Sequence, residues 1–320
     1  CNGARGIGRT YCGDPVRPDL VAVDALLARV GEGGTLILED AQRCLAGMAF
    51  LCRVLMAESG FEWHVAIYAT PPGGAGFPAH SSEKPVFILQ LSGARQWTWA
   101  RVPTSPATGG GSGDGDWPTP EEWVADSDTA DLQEGDMLYL PAGTTHAAKA
   151  GGAGSVHAAL TCALPTWDQI CEGVQHSSRL ETLNFGFHRE PERLSEGLCQ
   201  RGVSCGSAGH VDAYLAGLAE RFRPDMSGRL TDLLSPRRIR PDTVVRPRPD
   251  LLWWIASGDD GAVLICGSIR LAFPERVRPA VDQLLRRGGR PAALPGDLSD
   301  AERLDVTAML VDHALVHRVR

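Results

Sequence analysis

Two segments of the sequence each present a histidine directly after a turn rich in glycine and proline. The first runs from Tyr68 through Thr-Pro-Pro-Gly-Gly to His80, and the second runs from Gly135 through Pro141 to His146. A single histidine is most often a hydrogen-bonded structural residue. Two histidines in matching turn-to-strand settings favour a metal pair instead, because neutral imidazole is the commonest protein ligand of metals.

The elements that must position these histidines are short β-type runs. From about residue 63 to 167 the chain alternates such runs with Gly, Pro and Ser clusters, a pattern typical of an antiparallel barrel or jelly roll. The predicted strands cover 63–69, 85–91, 95–101, 137–140 and 155–162. The low-complexity stretch 103–118 is predicted to be a surface loop between two of them.

Helical periodicity dominates on both sides of the β-type region. Residues 19–58 predict two helices around a short strand at 35–38, and a second helical region follows Pro165. Beyond a Pro- and Arg-rich linker at 236–249, a helix, a strand and a further helix complete the pattern. The helix after Ser299 is expected to be capped by Ser299 or Asp300. The prediction is therefore three units: residues 1–167, 168–238 and 239–320.

Composition excludes several classes of protein. The 320 residues are 43% hydrophobic and 22% charged, which is ordinary globular usage, and no apolar run is long enough to span a membrane. The net charge of −8 argues against general nucleic-acid binding, which needs clustered cations.

The cysteines and the N-terminus point to a reducing, cytoplasmic setting. The nine cysteines are odd in number and form no Cys-x-x-Cys pair, so neither a disulfide framework nor a zinc knuckle is expected. No secretory leader is visible at the start of the sequence. Five cysteines with apolar neighbours are predicted to be buried: Cys44, Cys52, Cys162, Cys171 and Cys266.

The two histidine segments together resemble the cupin-like JmjC oxygenases of the ribosomal-oxygenase type. The matching residues are Tyr68-Ala-Thr-Pro-Pro-Gly-Gly-Ala-Gly-Phe77-Pro-Ala-His80, then Leu89-Gln-Leu-Ser-Gly-Ala-Arg95-Gln-Trp97, and Gly135-Asp-Met-Leu-Tyr-Leu-Pro141-Ala-Gly-Thr-Thr-His146. The resemblance implies a double-stranded β-helix (jelly-roll) domain, a helical dimerisation region and a winged-helix-like C-terminal module. It also implies Fe(II)- and 2-oxoglutarate-dependent hydroxylation of a peptide or protein side chain, and a homodimer.

Four site residues are carried over from this resemblance. His80 and His146 correspond to the two metal-binding histidines, and Arg95 corresponds to the cation that binds the distal carboxylate of 2-oxoglutarate. A guanidinium suits that role because it donates two parallel hydrogen bonds to a carboxylate. Tyr68 corresponds to a tyrosine whose hydroxyl bonds the same cosubstrate.

One position departs from the family pattern. The family has aspartate two residues after the first histidine, where this chain has Ser82. The usual triad of two histidines and one carboxylate therefore lacks its carboxylate at the expected position. Four interpretations stay open: iron held by two histidines with a position left for water or halide, as in 2-oxoglutarate halogenases; a carboxylate supplied by Glu83; a different metal; or a binding protein without catalysis.

The alternation of side chains along a strand separates Ser82 from Glu83. Ser82 is expected on the side of His80, whereas Glu83 is expected on the opposite side unless a bulge rotates it. His157 and His64 are further candidate nitrogen ligands, although each is more typical of a hydrogen-bonded barrel histidine. Thr161 is a candidate for cosubstrate binding.

The C-terminal module could bind nucleic acid, and the helix before it could form a dimer interface. Residues 240–320 hold twelve Arg and eleven Asp or Glu, so no net basic face is expected and nucleic-acid binding is not predicted. An apolar stripe in the helical region is predicted, with the family resemblance, to form the homodimer interface. The stripe consists of Val211, Tyr214, Leu215, Leu218 and Phe222.

Overall fold

The chain forms two compact units, which the computed structural model describes over most of their length. The described residues are 21–74, 79–82, 84–100, 127–165, 189, 191–200, 207–225, 238–258 and 261–319. One unit combines residues 1–52 with 63–164, and the other combines 53–62 with 165–320. The predicted boundary at 167 lies three residues from the observed one. The further division at 238 stays a prediction, and Glu83, Cys171 and the predicted loop 103–118 lie outside the described residues.

The first unit is mainly β. Its helices are α1 (Val23–Gly31) and α2 (Ala46–Ser59), the second of which continues into the other unit. Its strands are β1 (Leu36–Leu38), β2 (Glu62–Thr70), β3 (His80–Ser81), β4 (Val86–Ala100), β5 (Ser127–Leu132), β6 (Met137–Leu140) and β7 (Thr145–Ala163). They form one seven-stranded sheet in the order β1-β2-β7-β4-β5, with β3 beside β7 and β6 beside β4.

The two strands predicted at 85–91 and 95–101 are one continuous strand, β4, with a sharp bend in the middle. Its antiparallel register with β7 pairs Gly93 with Ser155 and Arg95 with Ala150, so residues 151–154 have no partner in β4. The same corner interrupts the other neighbour of β4, because β5 ends at Leu132 and β6 begins at Met137. The ladder therefore folds over on itself at Gly93.

A ring contact across this corner measures how sharp the bend is. Trp97 pairs with Ala148, whereas His157 pairs with Gln90, seven residues away from Trp97 along β4. Seven residues of a straight strand would span about 23 Å. The Trp97 and His157 ring centroids are nevertheless 5.3 Å apart. The bend thus brings the two halves of the sheet face to face and encloses a core of Val86, Ile88, Trp97, Leu132 and Leu140.

The bend depends on two glycines. Gly93 has a φ of +66°, and a Cβ at this position would lie 2.3 Å from the carbonyl oxygen of Gly154. Gly154 has a φ of +82°, and its own Cβ would lie 3.0 Å from the carbonyl oxygen of Thr70. Any other residue at Gly93 would combine a strained backbone with a steric clash against main-chain atoms, which cannot move aside cheaply.

The second unit contains helices packed on small sheets. Its helices are α3 (Pro191–Gln200), α4 (Ser207–Arg221), α5 (Arg278–Arg287) and α6 (Asp300–Asp312). Strands β9 (Trp254–Gly258), β10 (Gly261–Cys266) and β11 (Ile269–Phe273) form one antiparallel sheet, and β8 (Val245–Pro247) pairs with β12 (Val316–Arg318). The predicted cap is confirmed, because Ser299 and Glu302 form a reciprocal capping box at the start of α6.

Two predictions about burial are wrong. The stripe along α4 is not available as a dimer interface, because Val211, Leu215, Leu218 and Phe222 are already buried within the single chain. Helix α4 covers that face by packing on β9 and β10. Cys44 is exposed although it was expected to be buried, whereas Cys52, Cys162 and Cys266 are buried as predicted.

The lengths and the hydropathy of the helices show whether any of them could cross a membrane. Within the described part of the chain, no helix combines the length and the apolar character needed to cross a bilayer.

Replacing Gly93 by alanine tests the bend. We expect Gly93→Ala to lower the free energy of unfolding by at least about 2 kcal/mol in urea titrations, because it adds backbone strain and a main-chain clash. Gly152→Ala is the matched control at the same corner, since a Cβ there meets nothing within 4 Å. A Gly93→Ala variant as stable as Gly152→Ala would contradict the proposed role of the bend.

Candidate active site

The sheet places the two predicted metal-binding histidines directly opposite each other. His80 in β3 pairs with His146 in β7, and Ser81 pairs with Thr145. The two imidazole rings have centroids 4.4 Å apart and planes inclined by 55°. Side chains of directly opposed strand residues point to the same face, so both rings are available to one ligand. The distance suits two nitrogen ligands that share a metal ion.

A buried hydrogen bond leaves His146 with a ring nitrogen that can bind a metal. Its Nδ1 lies 2.9 Å from the carbonyl oxygen of Thr144, which requires a proton on Nδ1 and leaves the lone pair of neutral imidazole on Nε2. Burial, and then the neighbouring His80, lower the pKa of His146 to about 4. The ring is therefore neutral near pH 7, the form in which histidine coordinates metals.

Arg95, predicted to bind the distal carboxylate, is a buried arginine. Only 4% of its surface is exposed. Its Nη1 donates to Thr70 Oγ1 at 2.8 Å, and its Nη2 lies 3.4 Å from the carbonyl oxygen of Ala148. Both partners are neutral, so the charge has no counterion among its hydrogen-bond partners in the described part of the chain. Burial accordingly lowers the pKa of Arg95 to about 10, against the smaller opposing effect of Tyr68.

Thr70 supports Arg95 from β2. Its hydroxyl receives the hydrogen bond from Arg95 and lies 3.1 Å from the hydroxyl of Thr35. Sequence reasoning missed this support, although Thr70 is the threonine of the Thr-Pro-Pro-Gly-Gly segment. Thr70 was visible in the motif, but its contact with Arg95 depends on the bend of β4 and could not be predicted from the motif.

Trp97 joins the histidine pair to the arginine. Its ring lies 6.0 Å from that of His146, and the guanidinium carbon of Arg95 lies 5.6 Å from the Trp97 centroid. One indole thus separates the two groups that would hold the two ends of a chelating acid. The sequence analysis used Trp97 only as part of a motif and assigned it no function.

His157 and Tyr68 complete the array behind Trp97. Their rings are stacked at 4.9 Å with planes 3° apart, and His157 meets Trp97 edge-on. Burial, with a smaller contribution from the positive charge of Arg95, lowers the pKa of His157 to about 3. His157 therefore lies beside the arginine side of the site. The ring contacts of His157 within the described part of the chain are with Tyr68 and Trp97, whereas a third metal ligand would have to lie beside His80 and His146.

The remaining candidates make other contacts. His64 contacts Asp40, with its Nδ1 3.2 Å from Asp40 Oδ1, and this hydrogen bond lowers the pKa of Asp40. Thr161 pairs with Val86 near the end of β7. The hydroxyl of Ser82 accepts from the main-chain N–H of Lys84 at 3.3 Å. Among the described residues, which omit Glu83, no three His, Cys, Asp or Glu side chains are grouped for a metal ion.

Known proteins resemble the first unit in sequence. Residues 40–170 match the family model of the JmjC domain. Ribosomal oxygenase 2 of Rattus norvegicus is 30% identical over 174 residues, which are 53% of this chain and 35% of that protein. The bifunctional lysine-specific demethylase and histidyl-hydroxylase NO66 of Caenorhabditis briggsae is 31% identical over 109 residues, 31% of this chain and 13% of that protein. The chain thus spans about a third or less of the length of these relatives.

A solved structure also resembles the chain. The ribosomal oxygenase YcfD from Escherichia coli, in complex with cobalt and 2-oxoglutarate, aligns with 89% of this chain and 78% of its own. The TM-score is 0.44 and the sequence identity is 15%.

The lowered pKa of His157 predicts a dependence of stability on pH. The unfolded chain takes up a proton on this histidine below about pH 6.5, whereas the folded chain does so only near pH 3, so stability present above pH 6.5 is lost as the pH falls towards 3. Between pH 7 and 5 we expect metal-free protein to lose roughly 2 kcal/mol more than its His157→Phe variant in urea unfolding. Equal losses in the two proteins would show that the buried ring does not resist protonation.

Proposed function

We propose that this chain, whose residues 40–170 form a JmjC domain, is an Fe(II)- and 2-oxoglutarate-dependent oxygenase that hydroxylates a side chain of a peptide or protein. The observation that carries the proposal is the placement of two opposed histidines and one buried arginine on either side of Trp97. A 2-oxo dicarboxylic acid has a chelating end for a metal and a distant carboxylate for a cation. The arrangement offers both kinds of group beside one indole ring.

Each residue has a defined part in this proposal. His80 and His146 would hold the metal, since their rings are close together and His146 presents an unprotonated nitrogen. Arg95 would bind the distal carboxylate, and its lack of a charged partner supports this, because a buried cation without a counterion is costly. Bound iron with 2-oxoglutarate would supply the activation of oxygen. The packed rings of Trp97, His157 and Tyr68 would exclude water from the carboxylate end.

The relatives support the substrate class. One is named a ribosomal oxygenase and another a lysine-specific demethylase and histidyl-hydroxylase, and lysine and histidyl groups are amino-acid side chains. We therefore propose a peptide or protein side chain as the substrate. The jelly-roll domain would bind this substrate. The division at 238, the winged-helix-like character of 239–320, a homodimer and a cytoplasmic location are proposals that rest on the same family resemblance.

Ser82 supports a second candidate, a halogenase-like reaction. The main-chain carbonyl of Ser82 accepts from the N–H of Gly143 at 2.7 Å, which ties the segment after His80 to the turn before His146. A serine hydroxyl at this position offers neither the charge nor the reach of aspartate. A metal held by two histidines would retain a coordination position that a halide or a water molecule could occupy.

Arg95→Lys tests the carboxylate site. Arg95→Ala would also leave Thr70 and the carbonyl of Ala148 without their donor, so lysine, which keeps the charge but loses the planar fork, is the sharper change. We expect the affinity for 2-oxoglutarate, measured by calorimetry on the Mn(II)-loaded protein without oxygen, to fall about tenfold or more. Arg246→Lys, an exposed change in the second unit, is the control. Unchanged affinity in folded Arg95→Lys protein would exclude the assignment.

Ser82→Asp tests the metal site. We expect this variant to bind Fe(II) more tightly than the unmodified protein, because it restores the carboxylate of a two-histidine, one-carboxylate site. Ser81→Asp is the matched control, since Ser81 precedes it in β3 and its side chain points to the other face. If the open position is functional, Ser82→Asp also reduces or redirects turnover despite the tighter metal.

Glu83→Gln provides the complementary measurement of metal content. We expect it to bind Fe(II) nearly as well as the unmodified protein, because alternation directs Glu83 away from His80. A folded Glu83→Gln variant that loses its metal would identify Glu83 as the ligand instead.

A further inference from the structure

Three neighbouring buried side chains each have a polar nitrogen without a hydrogen-bond partner among the described residues. The atoms are Arg95 Nε, Trp97 Nε1 and His157 Nδ1. Their residues are 4%, 6% and 3% exposed, so water does not reach these nitrogens freely. Buried polar atoms are almost always paired in folded proteins, and each exception calls for an explanation. Three exceptions around one indole ring point to a bound group.

Arg95 and His157 both lie beside the ring of Trp97. The Arg95 guanidinium carbon lies 5.6 Å from the Trp97 centroid, and the His157 ring lies 5.3 Å from it. The positive charge of Arg95 also acts on His157. The stack with Tyr68 fixes the plane of the His157 ring, so that ring cannot turn freely towards another partner. The unpaired nitrogens therefore belong to one local environment.

The chemical character of these atoms favours an anion. Arginine Nε and indole Nε1 are donors only, and imidazole Nδ1 donates when it carries the proton. The nearby unpaired Oε1 of Gln90 is an acceptor and would need a donor such as water, so it is not part of this set. A carboxylate has about four lone-pair positions, enough for three N–H donors.

We propose that Trp97 and His157 donate hydrogen bonds to the same cosubstrate carboxylate that Arg95 binds. This inference rests on the proposed function, because it takes the ligand to be a 2-oxo dicarboxylic acid. Neither residue would be a catalytic residue. Both would determine specificity, since two neutral donors in fixed directions select the trigonal carboxylate, whereas a cation alone attracts any anion.

A comparison of two ligands on conservative variants tests the inference. Trp97→Phe keeps an aromatic ring without its N–H, and His157→Phe keeps the stack on Tyr68 without a donor. 2-Oxoglutarate carries the distal carboxylate, whereas 2-oxobutyrate shares only the chelating end. By calorimetry on Mn(II)-loaded protein without oxygen, we expect each variant to bind 2-oxoglutarate about tenfold more weakly and 2-oxobutyrate within about twofold of the unmodified protein.

Further variants distinguish weaker binding caused by a lost hydrogen bond from weaker binding caused by misfolding. His157→Gln retains an amide N–H and is expected to recover part of the affinity lost in His157→Phe, which keeps the test valid even if Trp97→Phe does not fold. Trp253→Phe, an indole in the second unit, is the control and leaves both affinities unchanged.

The outcomes are distinct. Unchanged affinity for 2-oxoglutarate in folded variants overturns the inference, and so does an equal loss for both ligands, which would indicate a structural role only. Unmodified protein that binds no 2-oxoglutarate at all overturns the proposed function, and the inference with it.

Discussion

At the corner of the sheet, the contact between Gly93 and Gly154 brings β4 and β7 closer together than any side chain at Gly93 would allow. Every feature of the site lies on one side or the other of this corner. His157 and Gln90 lie before it along the ladder, and Arg95 and Trp97 lie after it. Without the bend, the rings of Trp97 and His157 would be separated by about half the length of β4. The backbone freedom of glycine is therefore a condition for the pocket as well as for the fold.

Burial gives the enclosed face its chemical properties. The same loss of solvent keeps His146 neutral and lowers the pKa of His157 and of Arg95, whose hydrogen-bond partners among the described residues are neutral. These effects reduce the stability of the empty protein, because charged and polar groups are taken out of water without full compensation. A ligand that supplied the absent partners would recover that stability on binding, which is a physical reason for such a site to bind an anion tightly.

The chain differs from the family pattern at Ser82, where the expected side chain is a metal-binding carboxylate. Ser82 replaces a negative charge close to the metal position, while the paired histidines and the buried arginine are retained. Retention of a costly buried arginine favours continued binding of an acid over a fold that has lost its ligand. The charge that aspartate would have contributed must then come from the cosubstrate, a bound anion or a residue outside the described part of the chain.

The sequence alone determined the local features. The turn before His80, the turn before His146, the β-type runs between them and the cap at Ser299 all follow from residue types within a few positions. It also identified the departure at Ser82. These features depend on backbone preferences and on the alternation of side chains, which short stretches of chain specify.

The tertiary structure decided everything that depends on the bend in β4. From sequence, Arg95 was assigned to the cosubstrate carboxylate without its contacts, Trp97 had no function, and the α4 stripe beginning at Val211 was assigned to a dimer interface. In the structure, Arg95 and Trp97 are buried, and α4 covers its stripe by packing on β9 and β10. Periodicity reports which face of an element is apolar but not what covers that face. Contacts between residues far apart in the chain depend on register and bulges, which no short pattern specifies.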